Sequence, residues 1–176
     1  MQDIQGSISG SLTPDDFVQD APRQIARSEP IVDIVAIEGV VLERVSANAD
    51  QRGELIELLT TRDGPIEPMV HVYQVIAAPG SLRGWVYHKW QHDRLVFTMG
   101  DFEVQLFDVR PDSPTFGTHM VLRLGDAHRR RLTIPPLVAH RVHNRGDAAA
   151  AFVNLPTRIY DPANPDKFRL DPTLGS

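Results

Sequence analysis

A succession of short β-forming runs separated by turn-forming residues is the feature that most constrains the fold of this chain. The clearest runs are PMVHVYQVIAA (68–78), RLVFTM (94–99), FEVQLFDV (102–109) and THMVLRL (118–124), with Gly, Pro and Asp concentrated between them. In FEVQLFDV the apolar residues alternate, which places Phe102, Val104 and Leu106 on one face of a strand. The spacing predicts an all-β protein, and about ten short antiparallel strands close most naturally as a double-stranded jelly roll with a hollow at its mouth.

The chain divides into an arm and a single domain. Its 176 residues are enough for one domain with a substantial core. Residues 1–29 are polar and lack a clear period, so we expect a flexible N-terminal arm. Residues 30–176 are predicted to form the jelly-roll domain, with a Pro- and Asp-rich tail from Pro156 that wraps the surface.

Composition excludes several functional classes. The net charge of −5 argues against non-specific binding to nucleic acid. No apolar run approaches the roughly 18 residues of a membrane span, and the first residues lack the basic start and apolar core of a signal peptide. The absence of cysteine excludes disulfides, thiolate metal sites and a cysteine nucleophile. We therefore expect a cytoplasmic protein.

Two gapped motifs place polar residues in the hollow. The first set has the spacing of the first cupin motif and consists of Gly80, Val86, His88, Asp93 and Gly100. The usual cupin residues there are Gly, His, His, Glu and Gly. The second motif matches at Pro135, Leu137, His140 and Asn144, with leucine where glycine is usual. Together the motifs predict a cupin jelly roll in which His88 and His140 point toward the pocket.

Five further segments occur in one register: DQRG (50–53), PGSLRG (79–84), DVRPDSPTFG (108–117), IPPLVAH (134–140) and TRIY (157–160). With these segments, the chain from about residue 38 to 170 resembles the dTDP-4-dehydrorhamnose 3,5-epimerase family, cupin-fold enzymes that act on nucleotide sugars. The resemblance implies a homodimer with strands exchanged between neighbouring barrels, a nucleotide-diphosphate sugar as substrate, no cofactor and no metal.

The family's reaction needs a base beside a ketone, a group that holds the enolate oxygen, and an acid on the opposite face. The resemblance implies that Val86 stands at the position of the base, Asn154 at that of a tyrosine acid, and Arg94 near that of a lysine. The segment that supplies the base-orienting aspartate is expected to lie beyond Ser176. Valine cannot accept a proton and asparagine does not titrate, so we do not expect unchanged 3,5-epimerase chemistry.

Other residues are predicted to take over these roles. Val86 and His88 share a face because a strand alternates its side chains. We therefore predict His88 and His140 as catalytic residues, with Arg94 as a third. The resemblance implies as substrate-binding residues Arg52, Gln74, Arg83, Asn154 and Tyr160, with one of the arginines donated across the dimer. Either Tyr73 or Tyr87 could donate to an oxyanion, but the sequence places neither of them in the pocket.

Three functions stay open at this point. The first is a sugar-nucleotide isomerase or single-centre epimerase with altered chemistry. The second is a non-catalytic nucleotide-sugar-binding protein. The third is a repurposed cupin isomerase or cyclase of secondary metabolism. A transition-metal site built from His88, Asp93 and His140 is a further alternative, since nitrogen and oxygen ligands suit several such metals.

Overall fold

A computed structural model describes residues 36–63 and 69–170, together with 19, 21 and 22. The strands within these residues are β1 Val41–Arg44, β2 Ala47–Asp50, β3 Gly53–Ile56, β4 Tyr73–Ala77, β5 Leu82–Tyr87, β6 Asp93–Met99, β7 Asp101–Asp108, β8 His119–Gly125, β9 Arg130–Ile134, β10 Val138–Asn144, β11 Ala150–Asn154 and β12 Phe168–Arg169. A 3₁₀ turn spans Thr61–Asp63.

Two antiparallel five-stranded sheets form the domain. The first sheet has the order β1-β9-β6-β11-β4 and the second the order β12-β5-β10-β7-β8, while β2 and β3 form a separate hairpin. Strands distant in sequence lie side by side, as where β6 lies between β9 and β11. No α-helix occurs in the described residues. The predicted all-β jelly roll is confirmed.

The core lies between the sheets, where the alternating apolar residues meet. Phe102, Val104 and Leu106 of β7 are fully buried, which confirms the alternation in FEVQLFDV. The ring of Phe102 lies 5.1 Å from that of Phe97 and 5.7 Å from that of Phe152. Burial of each ring contributes about 1.5–3 kcal/mol to stability. This aromatic cluster fills one part of the interior and leaves the polar hollow elsewhere.

A close approach between β5 and β10 sets the position of His140. Gly84 has φ +128°, and a Cβ at this residue would lie 2.5 Å from Arg141 Cβ and 2.6 Å from the His140 carbonyl oxygen. Only glycine allows the two strands to lie this close. The register pairs His140 with Val86 and shifts between His140 and Val142. As a result, His140 lies beside the face of β5 that carries Val86.

Several predictions fall on residues that the structure does not describe. The N-terminal arm, apart from residues 19, 21 and 22, lies outside the described residues, so the division at residue 29 stays a prediction. No helix in the described part is long and apolar enough to cross a membrane.

The SPTFG turn has a structural role that centres on Asp108. The Asp108 side chain is fully buried and accepts hydrogen bonds from Arg110 Nε and Nη2, both at 2.8 Å. The hydroxyls of Ser113 and Thr115 each donate to Asp108 Oδ2 at 2.7 Å. The Arg110 guanidinium, aided by the two hydroxyls, holds the pKa of Asp108 well below its usual range although burial opposes this. The motif therefore fixes the β7–β8 connection.

Asp108→Asn is expected to lower the free energy of unfolding by about 2–3 kcal/mol at pH 7, because Arg110 loses its buried anionic partner. The folded pKa of Asp108 is depressed, so its contribution is present above the unfolded value of about 3.9 and is lost as the pH falls below it. Urea unfolding at pH 7 and at pH 3 measures both effects. Asp112→Asn, an exposed residue of the same turn, is the control. Equal losses in the two variants would contradict this role.

Candidate active site

A cavity of about 630 Å³ lies between the two sheets, a size typical of small-molecule sites. Strands β4, β6 and β11 of the first sheet and β5 and β10 of the second contribute its walls. The β5–β6 connection and the tail after β11 add further side chains. The hollow predicted at the mouth of the jelly roll is therefore present, and both sheets supply side chains to it.

A trio of His88, Asp93 and His140 lies in this cavity, with Asp93 and His140 buried and His88 half-buried. His88 directly follows β5, Asp93 begins β6, and His140 belongs to β10. Asp93 Oδ2 lies 3.4 Å from His88 Nε2 and 3.3 Å from His140 Nε2. The three side chains retain 5–11% of their accessible surface. The sequence prediction named both histidines, and the structure brings them to the same carboxylate oxygen.

The other carboxylate oxygen of Asp93 is held by two amides. Gln91 Nε2 donates to Asp93 Oδ1 at 2.7 Å, and Asn154 Nδ2 donates to it at 2.9 Å. Burial alone would raise the pKa of Asp93, but the contacts with His140 and His88 outweigh it and hold the pKa well below its usual range. Asp93 is therefore a buried carboxylate that stays ionised and attracts positive charge to its histidine neighbours.

The tautomer of His88 follows from its second contact. His88 Nδ1 forms a short hydrogen bond with the carbonyl oxygen of Asp166. A carbonyl only accepts, so Nδ1 carries the hydrogen and Nε2 is the basic atom of the neutral ring. Burial lowers the pKa of His88. The opposing effects of Asp93 and the Asp166 carbonyl together outweigh burial, so the net shift of this pKa is upward. His88 Nε2 can thus accept a proton beside a carboxylate that stabilises the resulting imidazolium.

Asp166 clamps the C-terminal tail onto the site. Its carboxylate accepts hydrogen bonds from three consecutive backbone amides, those of Lys89 at 2.7 Å, Trp90 at 2.9 Å and Gln91 at 3.0 Å. The same residue orients the His88 ring through its carbonyl. Sequence reasoning missed Asp166, because only the fold brings residues so distant in sequence together.

Three cations line the cavity. Arg83 lies on β5, and Lys167 and Arg169 come from the tail, where β12 pairs with β5. Burial lowers the pKa of Lys167, and the neighbouring charges of Arg169 and Arg83 lower it further against the opposing effect of Asp93. Such a concentration of positive charge favours an anionic ligand group, and the guanidinium fork suits phosphate. Arg83 was predicted; the two tail cations were missed.

The remaining predicted residues divide into two sets. Asn154 and Tyr160 line the cavity, and their role in substrate binding stays a prediction. Gln74 does not, because its neighbours Tyr73 and Val75 line the cavity and strand alternation turns Gln74 to the other face. Arg94 likewise follows the cavity-lining Asp93, is buried, and donates from Nε to the Leu155 carbonyl at 2.7 Å. The geometry therefore gives Gln74 and Arg94 no position beside a bound ligand.

Arg52 lies outside the cavity of its own chain. It occupies the turn between β2 and β3, its side chain is 90% exposed, and it pairs with Asp50 at 2.5 Å. The resemblance implies that one of the predicted arginines reaches a neighbouring subunit. Arg52 projects from the hairpin in a way that suits this role, which stays a prediction.

The trio also has the composition of a metal site. His88, Asp93 and His140 each offer one ligand atom, and these atoms all lie within 4.8 Å of one another. Three protein ligands of nitrogen and oxygen type match an open transition-metal site. The absence of a metal at these residues stays a prediction.

Protein purified without an affinity tag is expected to contain only substoichiometric metal by inductively coupled plasma mass spectrometry. Dialysis against EDTA is expected to leave the melting temperature unchanged, because the amides of Gln91 and Asn154 hold the Asp93 carboxylate without a metal. One equivalent of metal that disappears in His140→Asn, together with a melting temperature lowered by EDTA, would contradict the prediction.

Asp166→Ala is expected to lower the free energy of unfolding by about 1–3 kcal/mol, because three amides lose their charged acceptor. Urea unfolding measures this loss. The matched control is Asp161→Ala, which removes a single local bond to the Ala163 amide in the same tail. A similar loss in the control would show that Asp166 does not clamp the tail.

Comparison with known proteins places the chain in a family. The model of the dTDP-4-dehydrorhamnose 3,5-epimerase family matches residues 34–175. The spore coat polysaccharide biosynthesis protein SpsL of Bacillus subtilis is 30% identical over 142 residues, covering 79% of this chain and 94% of SpsL. The probable low-salt glycan biosynthesis epimerase Agl13 of Haloferax volcanii is 32% identical over 137 residues, covering 76% of this chain and 87% of Agl13.

Solved structures agree with the fold. A dTDP sugar isomerase from Desulfovibrio desulfuricans has a TM-score of 0.73 and 23% identity, covering 77% of this chain and 86% of that one. ChmJ, a 3'-monoepimerase from Streptomyces bikiniensis in complex with dTDP-quinovose, has a TM-score of 0.70 and 23% identity, covering 78% of this chain and 72% of ChmJ. The match of the family model over most of the sequence shows that the chain belongs to the dTDP-4-dehydrorhamnose 3,5-epimerase family.

Proposed function

We propose that the protein is a sugar-nucleotide epimerase or isomerase that moves a proton at one carbon beside a sugar ketone, with His88 as the base. The observation that carries the proposal is His88 Nε2, a basic atom at the cavity 3.4 Å from the Asp93 carboxylate. The protein belongs to an epimerase family. Proton abstraction by Nε2 creates an imidazolium, which Asp93 and the Asp166 carbonyl stabilise together.

The displacement of the base supports altered chemistry. Val86, at the position implied for the base, is 8% exposed and contributes an apolar wall to the cavity. His88 lies two residues further along, which is about 6–7 Å in an extended chain. A base moved this far meets a different part of a bound sugar. The shift therefore favours reaction at a single centre over double epimerisation at C3 and C5.

The cations favour a nucleotide-diphosphate sugar. Arg83, Lys167 and Arg169 supply the positive charge that a diphosphate needs. Two solved relatives contain dTDP-quinovose and dTDP-4-keto-L-rhamnose, and we propose a dTDP-linked keto sugar for this chain. We also propose a cytoplasmic homodimer in which Arg52 reaches the neighbouring cavity. The names of SpsL and Agl13 favour a sugar destined for a glycan over one of secondary metabolism.

The test is solvent exchange on a dTDP-linked 4-keto-6-deoxy sugar in D₂O. We expect deuterium at one carbon beside the ketone, detected by NMR, and a rate in His88→Asn lower by about 10²–10⁴-fold. The rate is expected to rise with pH through a pKa above 6.5, because the neutral ring is the base and its pKa is raised. His128→Asn, an exposed turn residue, is the control.

Nucleotide binding separates this function from the alternatives. A ligand that binds only the folded protein raises the melting temperature. If dTDP raises the melting temperature but the sugar shows no exchange, the protein is a binding protein and the catalytic proposal fails. If dTDP has no effect, the proposed substrate class fails as well.

A further inference from the structure

The hydroxyl of Tyr73 reaches the polar network of the cavity from the neighbouring strand. Tyr73 of β4 pairs with Asn154 of β11 in the sheet register. Asn154 Nδ2 donates to the Tyr73 hydroxyl at 2.8 Å and to Asp93 Oδ1 at 2.9 Å. Asn154 Oδ1 accepts from the Arg94 backbone amide at 3.3 Å. These three contacts fix the orientation of the Asn154 amide, with its NH₂ group toward Tyr73 and Asp93.

The donor on Asn154 determines what Tyr73 can do. An amide NH₂ only donates, so the Tyr73 oxygen accepts this hydrogen bond and does not direct its own hydrogen toward Asn154. Tyr73 lines the cavity, and the residue as a whole keeps 40% of its accessible surface. The O–H hydrogen is therefore available to a ligand in the cavity.

The surroundings of Tyr73 keep it protonated. Burial and the negative charge of Asp93 raise the pKa of Tyr73, against the smaller opposing effects of Asn154 and Arg83. The group thus carries its proton at neutral pH, as an acid must before it acts.

Tyr73 and His88 approach the cavity from different sheets. Tyr73 belongs to β4 of the first sheet, whereas His88 follows β5 of the second. Both residues line the cavity, so a sugar bound between the sheets can meet His88 from one sheet and Tyr73 from the other. Inversion at a carbon requires this arrangement, in which one group removes a proton and another returns one from the far side.

We infer that Tyr73 is the catalytic acid that returns a proton to the reacting carbon on the face opposite His88. The inference rests on the proposed function. His88 Nε2 takes the proton of the C–H bond, and the electron pair moves into the enolate. The enolate carbon then takes the Tyr73 proton, which leaves a tyrosinate. Solvent restores the Tyr73 proton and removes the proton from His88, so atoms and charge balance over one turnover.

Tyr73→Phe separates abstraction from inversion. The variant keeps the ring, so His88 is expected to continue exchanging the substrate proton with retention of configuration. Formation of the inverted product is expected to fall by about 10²–10⁴-fold. The readout is the ratio of deuterium in recovered substrate to inverted product, measured by NMR in D₂O. A purely structural role would not change this ratio.

The matched control is Tyr87→Phe, which keeps the stacking of this ring on Phe168 at 5.0 Å and lies outside the cavity lining. Melting temperatures with and without dTDP establish that both variants fold and bind.

The outcomes distinguish the two proposals. If the wild-type protein shows neither exchange nor inversion, the proposed function fails. If the wild type inverts its substrate and Tyr73→Phe keeps the same ratio, the Tyr73 inference alone is overturned. An equal fall in exchange and inversion would assign Tyr73 to holding the enolate oxygen, and this also overturns the inference.

Discussion

The ionised carboxylate of Asp93 is the group on which the whole site depends. A buried charge is costly unless charged or hydrogen-bonding partners surround it. Here two histidines meet one oxygen and two amides meet the other. These partners come from both sheets and from the β5–β6 connection, so the site can form only when the sheets have closed on each other. The chemistry and the fold are thus coupled through one side chain.

The tail completes what the sheets begin. Without Asp166, the amides of residues 89–91 would lack their charged acceptor and His88 would lack the carbonyl that sets its tautomer. The same segment adds Lys167 and Arg169 to the cavity. The C-terminal tail, of which only two residues form a strand, therefore supplies both the carbonyl that contacts the His88 ring and much of the positive charge in the cavity.

Local patterns predicted the fold, whereas the site depended on long-range contacts. Alternation in β7 follows from neighbouring residues, and the structure confirms it. The predicted roles of Gln74 and Arg94 depend on which face of a strand each side chain occupies. A shift of one residue in a strand turns a side chain to the opposite face, so Gln74 does not line the cavity although its neighbours Tyr73 and Val75 do. Asp166 could not be predicted, because its partners are more than 70 residues away in sequence.

Strand geometry explains how such a site can be rearranged within one fold. A residue two positions along a strand keeps its face, which allows His88 to serve where Val86 stands at the implied position. A residue directly opposite on the neighbouring strand lies about 4.5–5.5 Å away between Cβ atoms. A hydroxyl can therefore come from Tyr73 on β4 when Asn154 occupies β11. Both displacements keep the side chain in the same cavity and change only the atom of the ligand that it meets. The sheet framework thus sets where polar groups can stand, and the choice among equivalent positions sets which bond reacts.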